Sequence, residues 1–407
     1  MRTNSIKITL FAVIILMAGG IFLMNYLQGA LRGTTMTLGV DLYPRWVGAQ
    51  AILEGKSPYS FETRQKIWQA VYGSPDIPNG NPFGFYYPPA ITTLFFPFIL
   101  AGFSLEDTAV IWCALIWALW CAAFGLWSTF IKLPQRTRVL ILPLLIISGI
   151  LYRPAYSNYL LGQYSMLSII MLVLAWMALK NHKFILAGVF GALCLIKFSI
   201  TILPCTLLLI IYRREWKFLI SFVITSLALY LPPTLILGWW IPDFINDISG
   251  YASENAVAWY WSDIKTLSGF GWLLISISIL ALSLKQRDFD LAIFIALAMN
   301  SIFTPHTADY DLVVFIPILS LLVYRLLNNR KITPWLSLSA FTLFIWFPWV
   351  SLIYFINQVP IDGVESWYRF IWLVYPLMVL IPVLIYEIST NPSKNELNPI
   401  NQGQTHP

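Results

Sequence analysis

The sequence predicts an all-α protein that crosses a membrane many times. Of its 407 residues, 58% are hydrophobic and 11% are charged, whereas a soluble domain carries about twice that charge. Many apolar runs approach or exceed the roughly 20 residues that a helix needs to cross a hydrocarbon core of about 30 Å. We therefore expect one membrane domain over residues 1–390, followed by a polar, disordered cytoplasmic tail at 391–407.

Twelve spans are predicted from the apolar runs. They lie near residues 7–27, 108–131, 138–152, 163–180, 184–196, 199–212, 217–240, 264–284, 289–304, 310–327, 333–356 and 369–389. The first run has no small-residue cleavage pattern after it, which favours a retained span over a signal peptide. The run at 90–103 is too short to cross, so we expect a re-entrant or surface-lying hairpin within a large first outer loop, 28–107.

The charged residues are sorted between the two sides of the membrane. With the N-terminus in the cytoplasm, the inner loops hold 16 of the 25 Lys and Arg, and the outer loops hold 14 of the 19 Asp and Glu. This distribution follows the positive-inside rule and predicts a multi-pass protein with both termini in the cytoplasm. We expect it in the plasma membrane. The net charge of +6 therefore reflects topology and indicates no nucleic-acid partner.

The segment 41–59 opens the predicted outer loop. Apolar residues recur at helical spacing from Leu42 to Leu53, and Gly55 is a stop signal, which predicts an interfacial helix that begins at Asp41. An Asp in this position suits a helix N-cap, and it also suits a general base at the membrane surface. The two roles are compatible, because a capped start would fix the direction of the carboxylate.

Two cations on the predicted outer side are candidates for anion binding. Lys197 lies where the short runs 184–196 and 199–212 meet, and Arg153 follows the run at 138–152. Each either extends to the interface, as many span-end cations do, or contacts a lipid phosphate. A charge at membrane depth is costly, which keeps the functional alternative open.

His306 is the only histidine on the predicted outer side. Asp309 and Asp311 follow it, but one histidine in such a loop is weak evidence for a metal, so a hydrogen-bonding or phosphate-facing role is favoured. The four cysteines lie inside apolar runs and predict neither disulfides nor a metal site. No cofactor is expected, and the sequence leaves metal dependence open.

Several short motifs occur in one order along the chain. They are Asp41 with Tyr43, Gly55-Lys-Ser-Pro-Tyr59, Tyr87-Pro-Pro89, Gly162-Gln163, Ala187-Gly188 with Lys197, and Pro305-His306 with Tyr310-Asp311. In this order they resemble glycosyltransferase family 87, formerly DUF2029, and its polyprenyl-phosphate-mannose-dependent mannosyltransferases of the GT-C superfamily. The resemblance covers about residues 5–390. Many family members have Asn after the Gly-Gln pair, where this chain has Tyr164.

The resemblance implies a GT-C helical bundle whose first outer loop carries a catalytic Asp. On this chain Asp41 becomes the general base, and Lys197 and His306 become candidates for the donor phosphate region. Further substrate-binding candidates are Arg153, Gln163 and Tyr87. The implied donor is a polyprenyl-phosphate hexose, with mannose the expected sugar, and the implied acceptor is a glycan or glycolipid outside the membrane. Direct attack by the acceptor would invert the anomeric centre.

Two other classes of protein share parts of this pattern. A lipid-linked sugar flippase or transporter would not need Asp41 and would carry charges along a path through the bundle. The acids of this chain instead cluster in predicted outer loops, which favours an enzyme. A polymerase or ligase of lipid-linked glycans usually has a large late outer loop, whereas the loops at 305–309 and 357–368 are short.

Overall fold

The protein is a bundle of helices. The computed structural model describes residues 2–31, 37–76, 83–130, 143–144, 146–254, 263–303, 309–328, 334–358 and 363–389. These residues form α-helices and short 3-10 turns and contain no strand, which confirms the predicted class. Seven described helical segments are long and apolar enough to cross a membrane, or eight if the bent pair 153–161 and 165–180 is one span. The chain is therefore a polytopic membrane protein.

The long helices follow the predicted apolar runs. In chain order the helices are α1 (Arg2–Leu31), α2 (Tyr43–Leu53), α3 (Phe61–Tyr72), α4 (Phe96–Leu100), α5 (Leu105–Phe130), α6 (Arg153–Leu161), α7 (Ser165–Lys180), α8 (Phe184–Cys194), α9 (Phe198–Ile211), α10 (Trp216–Leu237), α11 (Ile241–Glu254), α12 (Asp263–Gln286), α13 (Phe289–Phe303), α14 (Ile316–Asn328), α15 (Pro334–Gln358) and α16 (Gly363–Ser389). The predicted span at 138–152 is only partly described, with helical backbone at 143–144 and 146–150. The predicted tail lies outside the described residues.

Helices α8 and α9 form a hairpin. By length and composition alone, residues 184–211 would qualify as a single span. However, Cys205 Sγ lies 3.6 Å from the carbonyl oxygen of Gly191, fourteen residues earlier, whereas a straight helix would separate these residues by about 21 Å. Thr201 Oγ1 also donates to the Cys194 carbonyl at 2.7 Å across the turn. The chain therefore reverses at Lys197, where the two short predicted runs meet.

Helix ends meet in two groups at opposite ends of the bundle. Gln163, Lys197 and Asp311 each lie in a turn between helices, and they meet close to Asp41. We call this the Asp41 end. It corresponds to the predicted outer side.

The other group defines the Arg325 end. Arg325 in the last turn of α14 pairs with Asp288, just before α13, and with Glu387, near the end of α16. Lys180 at the end of α7 pairs with Asp290 at the start of α13 at 2.9 Å. Because α13 begins here while α7, α14 and α16 end here, α13 runs in the direction opposite to those three helices.

Helix α2 departs from the predicted surface helix. It begins at Tyr43, and Leu42 occupies the N-cap position without a side-chain cap hydrogen bond, so Asp41 is not the cap. Eight of its eleven residues are buried, whereas a helix lying on a surface keeps one face open. The helix is thus packed inside the protein. Its predicted end is correct, because Gly55 follows it with φ of 72°.

The short apolar run at 90–103 does not cross the bundle. It forms a 3-10 turn, Pro89–Leu94, and the five-residue helix α4. Thr93 Oγ1 donates to the Leu229 carbonyl in α10 at 2.7 Å. The run is therefore packed against the long helix α10.

Candidate active site

Asp41 lies in the 3-10 turn Val40–Leu42, which packs directly against the turn after α6. The Gly39 N–H donates to a carbonyl of α6 at 2.7 Å. Gly39 and Gly162 both adopt φ of 71°, a left-handed conformation that favours glycine. A Cβ on Gly162 would lie 3.1 Å from the Gly39 Cα and from the Leu42 Cβ. Two turns that are far apart in sequence can thus approach backbone to backbone and bring Asp41 into the site.

The Asp41 carboxylate is held through one of its two oxygens. Gln163 Nε2 donates to Oδ2 at 2.7 Å, and the Oε1 of the same amide accepts from Arg45 Nη2 at 3.0 Å. Among the described residues no donor contacts the other oxygen, Oδ1, and the side chain is partly exposed. One oxygen is therefore fixed in direction while the other can receive a proton.

Arg45 was not among the predicted site residues. It is fully buried and donates to the Gly162 carbonyl at 2.9 Å. Its guanidinium carbon lies 4.2 Å from the ring centroid of Tyr164 and 4.8 Å from that of Tyr87. Within the described part of the chain it has no carboxylate at ion-pair distance, and its Nε has no hydrogen-bond partner. The rings and carbonyl group stabilise the charge instead.

The signal for Arg45 in the sequence was its position one helical turn after Asp41. That spacing is too common to single out a residue. The Tyr87 hydroxyl, 3.4 Å from Arg45 Nη2, was predicted as a site group and does lie in this network.

The environment raises the pKa of the Asp41 carboxyl above its ordinary value. Burial is the largest cause, because it disfavours the charged form. The charges of Arg45 and Lys197 and the hydrogen bond from Gln163 act in the opposite direction, and the charge of Asp309 adds to the rise. A raised pKa brings a carboxylate closer to the range in which it is an efficient general base.

Lys197 is almost wholly buried, with 11% of its side chain exposed, so it does not extend to the surface. Its Nζ lies 2.6 Å from Asp311 Oδ1 and 2.6 Å from Ser165 Oγ. The rings of Tyr164 and Tyr310 lie 5.5 and 4.8 Å away. The cation thus already has a carboxylate partner.

Arg153 is paired in the same way. Its Nη1 lies 2.8 Å from Asp309 Oδ2, and the Ser157 hydroxyl donates to the same oxygen at 2.7 Å. The guanidinium also lies 5.3 Å from the ring of Trp349 and 5.7 Å from that of Trp367. Both predicted phosphate-binding cations therefore hold the 3-10 turn Asp309–Phe315 in place.

The structure brings most of the predicted site residues to one end of the bundle. His306 lies outside the described residues. Within the described ranges, no three His, Cys, Asp or Glu side chains are grouped so as to hold a metal ion. Three cations and three carboxylates balance one another at this end: Arg45, Lys197 and Arg153 with Asp41, Asp309 and Asp311.

Comparison with known proteins identifies the family. The model of glycosyltransferase family 87 matches residues 85–348, nearly two thirds of the chain. The matched segment contains Arg153, Gln163 and Lys197 and begins after Asp41. No curated protein and no solved structure matches the chain. This match and the bundle of membrane-spanning helices lead to one conclusion: the chain belongs to glycosyltransferase family 87 and is a membrane glycosyltransferase.

Proposed function

We propose that the protein transfers a hexose, with mannose the expected sugar, from a polyprenyl-phosphate donor to a glycan or glycolipid acceptor outside the plasma membrane. The observation that carries this proposal is the half-anchored Asp41 carboxylate, whose Oδ2 accepts from Gln163 at 2.7 Å. A lipid-phosphate sugar carries its own leaving group, so the protein needs to supply only a base and charge stabilisation. The Asp41 end offers both.

In the proposed reaction Asp41 Oδ1 takes the proton of the acceptor hydroxyl. The acceptor oxygen bonds to the anomeric carbon while the bond from that carbon to the phosphate oxygen breaks. The phosphate leaves with the electron pair and one additional negative charge. Attack from the face opposite the phosphate inverts the anomeric centre, and no acid is required for departure.

The charge balance of the site suits these reaction steps. The negative charge moves from Asp41 to the departing phosphate, so the protein side of the site gains one net positive charge as the phosphate gains a negative one. Fixed charges that act where charge develops contribute strongly to catalysis. We assign the phosphate to the side of the site near Lys197, with Arg153 and His306 as further candidate contacts. Lys197 would share its Nζ between Asp311 and the phosphate.

The rival function is a flippase or transporter of lipid-linked sugars without catalysis. Such a protein would need polar or charged groups along a path through the bundle. In the described long helices, the Asp, Glu, Lys and Arg residues lie within about two turns of a helix end. This distribution favours chemistry at one end of the bundle over transport through it.

The test is Asp41→Asn in the purified protein, with polyprenyl-phosphate mannose as donor and a membrane lipid extract as acceptor. We expect transfer to fall by about 100-fold or more, with an unchanged melting temperature. Asp76→Asn is the matched control, because Asp76 is exposed and outside the site. Full activity of the Asp41 variant would show that Asp41 is not the base of the transfer reaction. Nuclear magnetic resonance of the product reports the anomeric configuration.

A further inference from the structure

A cleft lies between the turn after α2 and helix α11. It is a wide-open depression with a volume of about 430 Å³, lined by Ser57, Tyr59, Ser60, Asp243, Asn246 and Asp247. Small-molecule sites commonly have volumes of about 300–1,000 Å³. Apart from the tyrosine ring, the side chains that line the cleft are polar. None of these residues takes part in the network around Asp41 described above.

We propose that this cleft binds a sugar unit of the acceptor. The inference rests on the proposed transfer reaction and adds the place where the acceptor is held. Hydroxyls, carboxylates and a carboxamide can donate to or accept from the hydroxyl groups of a sugar. Asp243, Asn246 and Asp247 are three and four residues apart, so they occupy one face of α11.

The charge of the cleft distinguishes the acceptor from the donor. It carries two carboxylates; in the described part of the chain, Arg64 pairs with Asp247, and Asp243 has no ion pair. The remaining charge of Asp243 disfavours a phosphate at this place. A neutral, hydroxyl-rich sugar meets no such penalty, so the cleft fits the acceptor better than the phosphate end of the donor.

A short chain of contacts connects the cleft to the reactive carboxylate. The Tyr59 hydroxyl donates to the Tyr87 carbonyl at 2.7 Å, and the Tyr87 hydroxyl lies 3.4 Å from Arg45. Arg45 in turn reaches Asp41 through the amide of Gln163. Tyr59 and Tyr87 thus connect the lining of the cleft with the Asp41 network.

The face of α11 away from the cleft is suited to a membrane surface. Ile245 and Ile248 are 52% and 37% exposed, and Trp239 just before the helix is 75% exposed. Apolar and aromatic side chains on one face and acids on the other are typical of a helix at the membrane interface. A glycolipid would present its sugar at this depth, although a water-soluble glycan has the same hydroxyl chemistry.

The experiment measures acceptor kinetics in Asn246→Ala and Asp243→Asn. The acceptor probes are the octyl and methyl glycosides of mannose, glucose and galactose, with polyprenyl-phosphate mannose as donor. We expect both variants to raise the acceptor KM about tenfold, because Asn246→Ala removes a hydrogen-bonding group and Asp243→Asn removes the charge that strengthens a hydrogen bond to the sugar. The donor KM and the thermal shift on binding donor alone should not change. Asp76→Asn, an exposed carboxylate away from the cleft, is the control.

The outcomes separate this inference from the function on which it rests. An unchanged acceptor KM in both variants, or wild-type transfer to a lipid extract but to none of the six glycosides, overturns the acceptor cleft and leaves the transfer reaction standing. The inference is also overturned if a chelator raises the acceptor KM of the wild type as much as the two substitutions do, because the cleft would then hold a cation. Transfer to octyl glycosides alone supports a glycolipid acceptor, and equal transfer to methyl glycosides supports a soluble glycan. If the wild type transfers mannose to no acceptor, the proposed function itself fails.

Discussion

The two ends of the bundle bury charge in different ways. At the Arg325 end, a single cation pairs directly with Asp288 and Glu387 and joins the ends of three helices. At the Asp41 end, the amide of Gln163 separates the carboxylate of Asp41 from the cation of Arg45. A direct ion pair occupies carboxylate oxygens and favours their charged form, whereas an amide fixes direction at a smaller electrostatic cost.

The contrast separates charges that hold helices together from a charge that can react. The Asp41 end also contains direct pairs, Lys197 with Asp311 and Arg153 with Asp309, and these tie one 3-10 turn to neighbouring helices. Asp41 is the carboxylate of this group without an ion pair among the described residues. An oxygen without a donor among the described residues and a raised pKa are properties that suit a base.

The largest effect outside Asp41 itself is expected from Arg45→Met. Loss of the cation removes an influence that lowers the pKa of Asp41, so that pKa should rise further. Less of the carboxylate is then charged at a given pH, and the acid limb of kcat/KM should move to higher pH. We expect kcat/KM at pH 7 to fall by about 100-fold, since the anchor of Gln163 is also lost. The pH profile of transfer measures both changes.

Arg45→Lys is the matched variant for this prediction. It keeps the charge but cannot reproduce the two-pronged contact with the Gly162 carbonyl and Gln163. Activity should fall while the acid limb stays close to that of the wild type. An acid limb that moves equally in both variants would show that the charge of Arg45 does not set the pKa of Asp41.

Arg325→Met is expected to affect stability and leave the pH profile unchanged. It removes the cation from two carboxylates in a mostly buried cluster, and breaking such a pair costs about 3 kcal/mol. Thermal unfolding in detergent measures the loss. Catalytic activity per folded molecule should remain close to that of the wild type. A shift in the acid limb like that of Arg45→Met would erase the distinction between the two ends.

Gly188→Ala gives the smallest of these effects and tests packing away from both charge clusters. A Cβ there would overlap Ser221 Oγ and the Phe218 carbonyl oxygen, so α8 and α10 would have to separate slightly. Overpacking of this kind costs about 1–3 kcal/mol. Gly19→Ala is the control, because a Cβ at Gly19 meets no atom within 4 Å. Equal melting temperatures of the two variants would contradict the close packing.

The fold was largely predictable because its signals are local. The length of each apolar run indicated the long helices and the reversal at Lys197. The position of α2 was not predictable in this way. Its spacing of apolar residues indicated one buried stripe, but contacts from the segment 89–94 and from other helices bury most of its surface.

The candidate site was also predictable only in part. The ordered motifs in the sequence were sufficient to indicate the family and to nominate Asp41, Gln163 and Tyr87. The helix-start pattern, in contrast, led to a wrong prediction of how the Asp41 carboxylate is oriented, because an N-cap is a contact within one turn of chain. The observed partner, Gln163, is 122 residues away.

By itself, the sequence determined the helical membrane class, the order of the spans and the chemistry available in the polar turns. Only the tertiary structure decided which of those turns meet. Contacts such as that between the Gly39 and Gly162 turns depend on the packing of the whole bundle. No local conformational preference favours a contact between two turns that are so far apart in the chain. For the same reason, only the packed structure revealed the buried position of Arg45 and the carboxylate partners of Lys197 and Arg153.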